Sequence, residues 1–150
     1  MITTFYGTLA DGDTYFEQRL NSQAWDRATN NDRTAALFMA TRAIDRLNFA
    51  NDKTLVAQEL QFPRGDDLVV PSGIETAAYE CAIKYIEGVD MDLEARNLGI
   101  AASSFGGART TFHEDYHSEN LRAGIPSVEA WYYLRPYLRD PGEINLSRAS

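Results

Sequence analysis

The sequence predicts a mainly α fold, a small bundle of three to four helices carrying a β-hairpin arm. Three observations carry this. Apolar residues recur at helical spacing in three windows, after Asn31, after Ser72 and after Ser127. A stretch from Ile100 to Tyr116 breaks that period with small residues, Thr110-Thr111, aromatics and a Phe105-Gly106-Gly107 turn, the composition of a hairpin. At 150 residues the chain is one domain in size, long enough to bury roughly 70% of its unfolded surface without a metal or disulfide staple.

Residues through Tyr6 read as extended, and Thr8 or Asp13 can cap a first helix that carries Tyr15, Phe16 and Leu20 and ends near Asn21. Asn30-Asn31-Asp32 offers caps for a second helix over about Arg33 to Leu47, with Leu37, Ala40, Ile44 and Leu47 on one face. The connector 48–70 is long for a structureless loop, so it is expected to pack on the body through Leu55, Val56, Leu60 and Phe62. Pro63 and Pro71 stiffen it by biasing Phe62 and Val70 to extended conformations.

Ser72 and Glu75 have capping-box spacing, which predicts reciprocal hydrogen bonds at the start of a third helix. Ile74, Ala77, Ala78, Cys81, Ala82 and Tyr85 form its apolar stripe, Glu80 and Lys84 an i, i+4 ion pair, and Gly88 its stop. Asp90 to Asn97 adds a helical turn or two. Ile125-Pro126-Ser127 introduces a last helix with Val128, Trp131, Leu134 or Arg135, and Leu138 along one side, bent or ended at Pro136. The expected organisation is one domain over 1–138 and a flexible tail over 139–150.

Net charge is −8, with 22 acidic and 14 basic residues. The summed field therefore repels phosphate at long range and suits a partner surface that is locally basic. One cysteine excludes an intrachain disulfide, and the absence of a basic leader or a long apolar run disfavours secretion and membrane spanning. His113-Glu114-Asp115-Tyr116-His117 matches the zincin pattern H-E-x-x-H, which works only on a helix. Thr110-Thr111-Phe112 favours strand and Gly124-Ile125-Pro126 separates the nearest third ligand, Glu129, so a solvated polar stretch is the plainer reading and a zinc hydrolase a remote one. Gly106-Gly107-Ala108-Arg109 lacks the rest of a phosphate loop, and Cys81 sits among alanines as a packing residue. No catalytic residue, metal or cofactor is expected. Trp131, Tyr132 and Tyr133 are about 100° apart around a helix, so at least one is exposed, with Arg135 nearby, as at a protein interface.

In their order, several motifs resemble the small head-tail connector (neck or adaptor) proteins of long-tailed double-stranded DNA bacteriophages. These are Ala10-Asp11-Gly12-Asp13-Thr14-Tyr15-Phe16, Trp25, Ala36-Leu37 with Ala40-Thr41-Arg42-Ala43-Ile44-Asp45, and Leu60-Gln61-Phe62-Pro63-Arg64. The Pro71 helix with Ala77 to Ala82, and Ile125-Pro126-Ser127 to Leu138, complete the set, which spans about residues 8 to 139. The resemblance implies a helical bundle with a hairpin arm, a structural and non-enzymatic virion protein made in the host cytoplasm. It implies a dodecameric ring in the virion neck, bound to the portal protein on one side and a tail-side neck or tail-completion protein on the other. DNA would pass its channel without sequence-specific binding.

Related sequences carry the label of DnaT-like single-stranded DNA-binding proteins, which gives the alternative function. On the connector reading, Trp131, Tyr133, Arg135, Tyr137, Arg139, Ile144 and Leu146 are the portal and ring-interface candidates. Phe105, Arg109, Phe112 and Tyr116 belong to the arm, and Phe62, Pro63, Pro71, Ser72 and Glu75 set the frame.

Overall fold

The structure, a computed structural model, describes residues 1–104 and 119–139, and side chains within that range except those of 99–104. Seven α-helices occur among the described residues: α1 (Leu9–Glu17), α2 (Gln23–Arg27), α3 (Asn30–Asp45), α4 (Ser72–Glu87), α5 (Met91–Ser104), α6 (Glu119–Arg122) and α7 (Val128–Leu134). A 3-10 turn, Arg135–Tyr137, follows α7 directly. The mainly α class therefore stands, with more helices than the three to four expected. No strand occurs among the described residues, and the only β pairing there is two isolated bridges, Phe49 with Leu138 and Lys53 with Arg64.

The helix starts follow side-chain capping. Thr8, Thr29 and Ser127 each stand just outside a helix in extended conformation and accept from the backbone N–H three residues on. Thr29 does this one residue before the Asn30-Asn31-Asp32 run, so α3 begins earlier than expected. α1 runs through Gly12, where the Trp25 ring covers the backbone and an added Cβ would come within 2.9 Å of it. It ends at Glu17, which leaves Leu20 beyond the helix and exposed.

The capping box at α4 does not form. Ser72 is the first residue inside the helix, where its side chain cannot reach back across the end, and the Pro71 carbonyl instead accepts from Ile74 N (3.1 Å) and Glu75 N (3.4 Å). Gly88 closes α4 at φ +79°, as expected for a left-handed stop. Pro136 sits in the 3-10 turn, where tightening of the helix accommodates its missing donor.

α4 is the centre of the body. Every residue from Ala77 to Ile83 is buried, so the helix is surrounded and does not lie on the core by one stripe. α3 and α7 make the main contacts with it, the first turns of α3 standing beside the last turn of α4, and α1 and α2 also touch it. Small residues at 77, 78, 81 and 82 let these backbones approach, and large ones fill the layer outside: Trp25, Phe16, Leu37, Ile44 and Leu134. α5 carries its exposed residues 92–97 away from this core and continues to Ser104. The first residues of the expected arm, 100–104, are thus helical, and no hairpin is seen among the described residues; Phe105, Arg109, Phe112 and Tyr116 lie outside them.

The segment between α3 and α4 is held by side chains. Tyr6, itself buried, donates from its backbone N–H to Thr41 Oγ1 (3.0 Å) and from its hydroxyl to Asp45 Oδ1, and accepts there from Phe62 N (3.1 Å). Asp45 Oδ2 also accepts from Gln61 N at 3.3 Å. Burial pushes the Asp45 carboxyl up against the pull of those bonds, and burial followed by Asp45 pushes the Tyr6 hydroxyl far up, so it remains a donor.

Arg64 serves the other side of this strap. Its guanidinium donates to the carbonyls of Phe49 (3.3 Å), Ala50 (2.9 Å) and Asn51 and to Gln61 Oε1 (2.8 Å). Gln58 bridges Leu60 and Pro63 carbonyls through Nε2 at 2.9 and 2.8 Å and accepts from Leu55 N. The Phe62–Pro63 bond is cis. Phe62 is buried against Tyr6, Phe49 and Tyr137, and Leu60 is buried as expected, but Leu55 and Val56 are 67% and 96% exposed and pin nothing.

Replacing Tyr6 by Phe keeps the ring, strands the buried Phe62 amide and takes one of its donors from the half-buried Asp45 carboxylate. The variant is expected to lose about 1–3 kcal/mol in urea unfolding at an unchanged m-value.

Candidate nucleic-acid interface

α7 decides which aromatics meet solvent. Ser127 fixes its start, and Ala130, Trp131 and Leu134 then turn inward onto α4. Tyr132 and Tyr133 consequently face out, 59% and 40% exposed. The expectation of at least one exposed ring in this run is met by two. Trp131, expected at an interface, is instead core, 8% exposed, with its indole N–H buried and unpartnered among the described residues.

The other candidates divide by position. Arg135 is exposed at the end of α7, and its Nε stands 3.7 Å from Glu119 Oε1 on α6, a surface pair of small energetic weight. Tyr137 is half-buried, its ring edge-on to Phe62 at 5.6 Å. Arg139 is half-buried and donates its backbone N–H to Asn48 O (3.0 Å), tying the end of the described chain to the end of α3. Ile144 and Leu146 lie outside the described residues, as do His113 and His117. Tyr132, Tyr133 and Arg135 are thus the candidates left exposed along the last helix and the turn that follows it.

A polar network joins α1 to α4. Glu80, 2% exposed, receives Arg19 Nε at 2.8 Å on one oxygen and Arg19 Nη2 at 3.1 Å on the other, and Tyr15 donates its hydroxyl to the first. Burial, with Glu80 next in size, pushes the Tyr15 hydroxyl up, so it stays protonated. Arg19 also donates to the Leu20 and Asn21 carbonyls and lies over the Phe16 ring at 5.6 Å. Glu80 is therefore not the partner of Lys84, which pairs with Glu87 at 3.7 Å. A buried carboxylate needs a buried cation, and the one at hand is Arg19. The only sequence sign was an acid inside the otherwise unbroken buried run 77–83.

This network floors an open cleft of about 380 Å³ between α4, α5, α6 and the start of α7, with Lys84, Glu94, Asn120 and Glu129 on its walls. Its charges are mixed, so it does not concentrate anions. No group of three His, Cys, Asp or Glu able to hold a metal occurs among the described residues. Cys81 is buried completely, and burial pushes its thiol up, which keeps it a packing residue and not a nucleophile. No helix among the described residues is long and apolar enough to cross a membrane.

Arg19→Ala leaves Glu80 buried with only Tyr15 beside it. Because Arg19 is itself about a quarter exposed, water softens the loss, and the expected destabilisation is about 2–3 kcal/mol, read as a fall in the urea midpoint.

Comparison with known proteins adds one match. A search of curated proteins and a search of solved structures return none. The model of the family described as "Putative DnaT-like ssDNA binding protein" matches residues 5–149, nearly the whole chain, and the chain belongs to that family.

Proposed function

We propose that this protein binds single-stranded DNA and that the outer face of α7 takes part. Membership of a family described by that activity, over residues 5–149, is the observation that carries the reading. The geometry offers a means. Tyr132 and Tyr133 present two rings to solvent with Arg135 in the following turn, and aromatic faces stack on any base, at about 1–3 kcal/mol per base. The net charge of −8 sets the expected character: few phosphate contacts, modest affinity and dependence on stacking more than on a basic groove. Catalysis has no part in this reading.

The test is fluorescence anisotropy with a labelled oligothymidylate at several salt concentrations. Joint replacement of Tyr132 and Tyr133 by alanine is expected to weaken binding at least tenfold, about 1.4 kcal/mol, while Arg135→Ala lowers the salt slope by about 0.7. Absence of binding by the unaltered protein at low salt overturns the reading.

A second reading, a structural head-tail connector of a long-tailed phage, is supported by a different observation. The strap exposes Leu55, Val56, Leu68 and Val69 on an acidic protein, the makings of a surface for protein partners. On this reading the chain is a ring subunit in the virion neck, between portal protein and a tail-side protein. Electron microscopy of the purified protein with and without portal tests it: rings or portal-bound particles are expected, and unassociated monomers in both samples contradict it.

A further inference from the structure

Several cations of this acidic chain are engaged within it. Arg19 is taken by Glu80, Arg33 by the Trp25 and Asp26 carbonyls at 2.9 and 3.1 Å, and Arg64 by carbonyls of the strap. Lys53 donates to Gln58 O at 3.3 Å, and Lys84 pairs with Glu87. Arg42, in the last turn of α3, and Arg46, at its C-terminal cap, are different. Both are exposed, and neither makes an ion pair or a side-chain hydrogen bond among the described residues. The acid between them, Asp45, is turned inward to the Tyr6 hydroxyl and the Gln61 amide. Like charges four residues apart on a helix repel, and no ion pair offsets that repulsion here. The carbonyl end of α3 favours cations but supplies no counter-ion.

A second observation fixes where one of these groups points. A Cβ added at Gly124 would stand 3.7 Å from Arg46 Nη2, so this guanidinium lies against the turn that leaves α6. Gly124 holds a left-handed φ of +82°, which keeps that corner free of a side chain. At the other end of α6, Glu119 stands 3.7 Å from Arg135. Gly124 follows Glu119 by five positions, at most about 18 Å of chain. Arg135 and the Arg42–Arg46 pair are thus joined through α6, with Arg122 exposed on the stretch between them.

Unpaired arginines in this setting suit phosphate. A guanidinium offers a planar fork of donors that matches phosphate oxygens, and it is more weakly hydrated than an ammonium group. A DNA strand presents phosphates at regular intervals, and a protein of net charge −8 has few places to meet them. The single-stranded DNA reading favours such phosphates over the carboxylates of an acidic partner.

We propose that Arg42 and Arg46 bind phosphates of a single DNA strand, continuing across α6 the path that starts at Arg135. The proposal rests on the single-stranded DNA reading and supplies it with phosphate contacts away from α7. Contacts of this kind carry no base preference and show themselves in the salt dependence of binding.

The experiment compares full-length variants by fluorescence anisotropy over a salt series, with labelled oligothymidylate and oligodeoxyadenylate. Arg42→Gln/Arg46→Gln is expected to lower the salt slope by about 1.4, twice the ~0.7 of one single-strand phosphate contact, and to weaken binding to both oligonucleotides alike. Arg42→Lys/Arg46→Lys retains the charges and is expected to retain the slope. Arg27→Gln/Arg96→Gln removes two exposed, unpaired arginines on α2 and α5, which matches the change in net charge. Its slope is expected to stay near that of the unaltered protein. Circular dichroism melts establish that each variant folds. A slope unchanged by Arg42→Gln/Arg46→Gln, lowered equally by Arg27→Gln/Arg96→Gln, or lost in the lysine variant overturns the proposal and leaves the DNA reading standing. Absence of binding by the unaltered protein overturns both.

Discussion

The segment between α3 and α4 has to satisfy its backbone polar groups without a helix or a sheet, and the placement of the rest follows from how it does so. Tyr6 and Asp45 take the amides of Gln61 and Phe62, Arg64 takes the carbonyls of residues 49 to 51, and Gln58 takes those of 60 and 63. Once those bonds are made, Phe62 is delivered to the core between Phe49 and Tyr137. The N-terminus, the end of α3 and the turn after α7 are thereby joined at one place, and α4 starts from a fixed position. Glu59 extends the same tie to the N-terminus, since it accepts from the Thr3 and Thr4 amides, which hold its carboxyl below the usual range.

Around α4 the logic is packing. A helix buried on every side over 77–83 has no solvent face there on which to place polar residues, so the acid at 80 must find its cation within the body. Arg19 and Tyr15 supply that, and in doing so they fix α1 against α4. On the far side α7 contributes only Ala130, Trp131 and Leu134 to the core, so its tyrosines are turned outward by the phase of a seven-residue helix. The candidate interface is a by-product of that phase. It is positioned by the core and requires no ordering of its own.

What was legible in the sequence is local. The periodicity of 37, 40 and 44, the stop at Gly88, the Ser127 start and the anchoring of Leu60 and Phe62 all follow from spacing and from residue type. What was not legible depends on residues far apart in the chain. Glu80 and Lys84 satisfy the i, i+4 rule, yet Arg19, 61 positions away, takes the carboxylate. Ser72 and Glu75 satisfy the capping-box spacing, yet the helix begins one residue too early for a serine there to cap it. Trp131 looked like an anchor for a partner because composition cannot tell which of three neighbouring aromatics the core will take. Leu55 and Val56 looked like pins for the same reason that they now stand out, being aliphatic in a polar stretch. Hairpin composition after Ile100 was overridden at least as far as Ser104, where α5 continues.

The account of the fold and the connector reading share one premise, that the strap is a prefolded element and not a loose linker. Native-state hydrogen exchange of the free protein tests this directly, because the strap has almost no regular secondary structure to protect it. The amides of Thr54, Leu55, Phe62, Gly65 and Asp67 each have a defined acceptor and are expected to exchange as slowly, within about an order of magnitude, as those in the middle of α3. Exchange of these five at the rate of an unstructured peptide, with α3 and α4 still protected, would contradict the account.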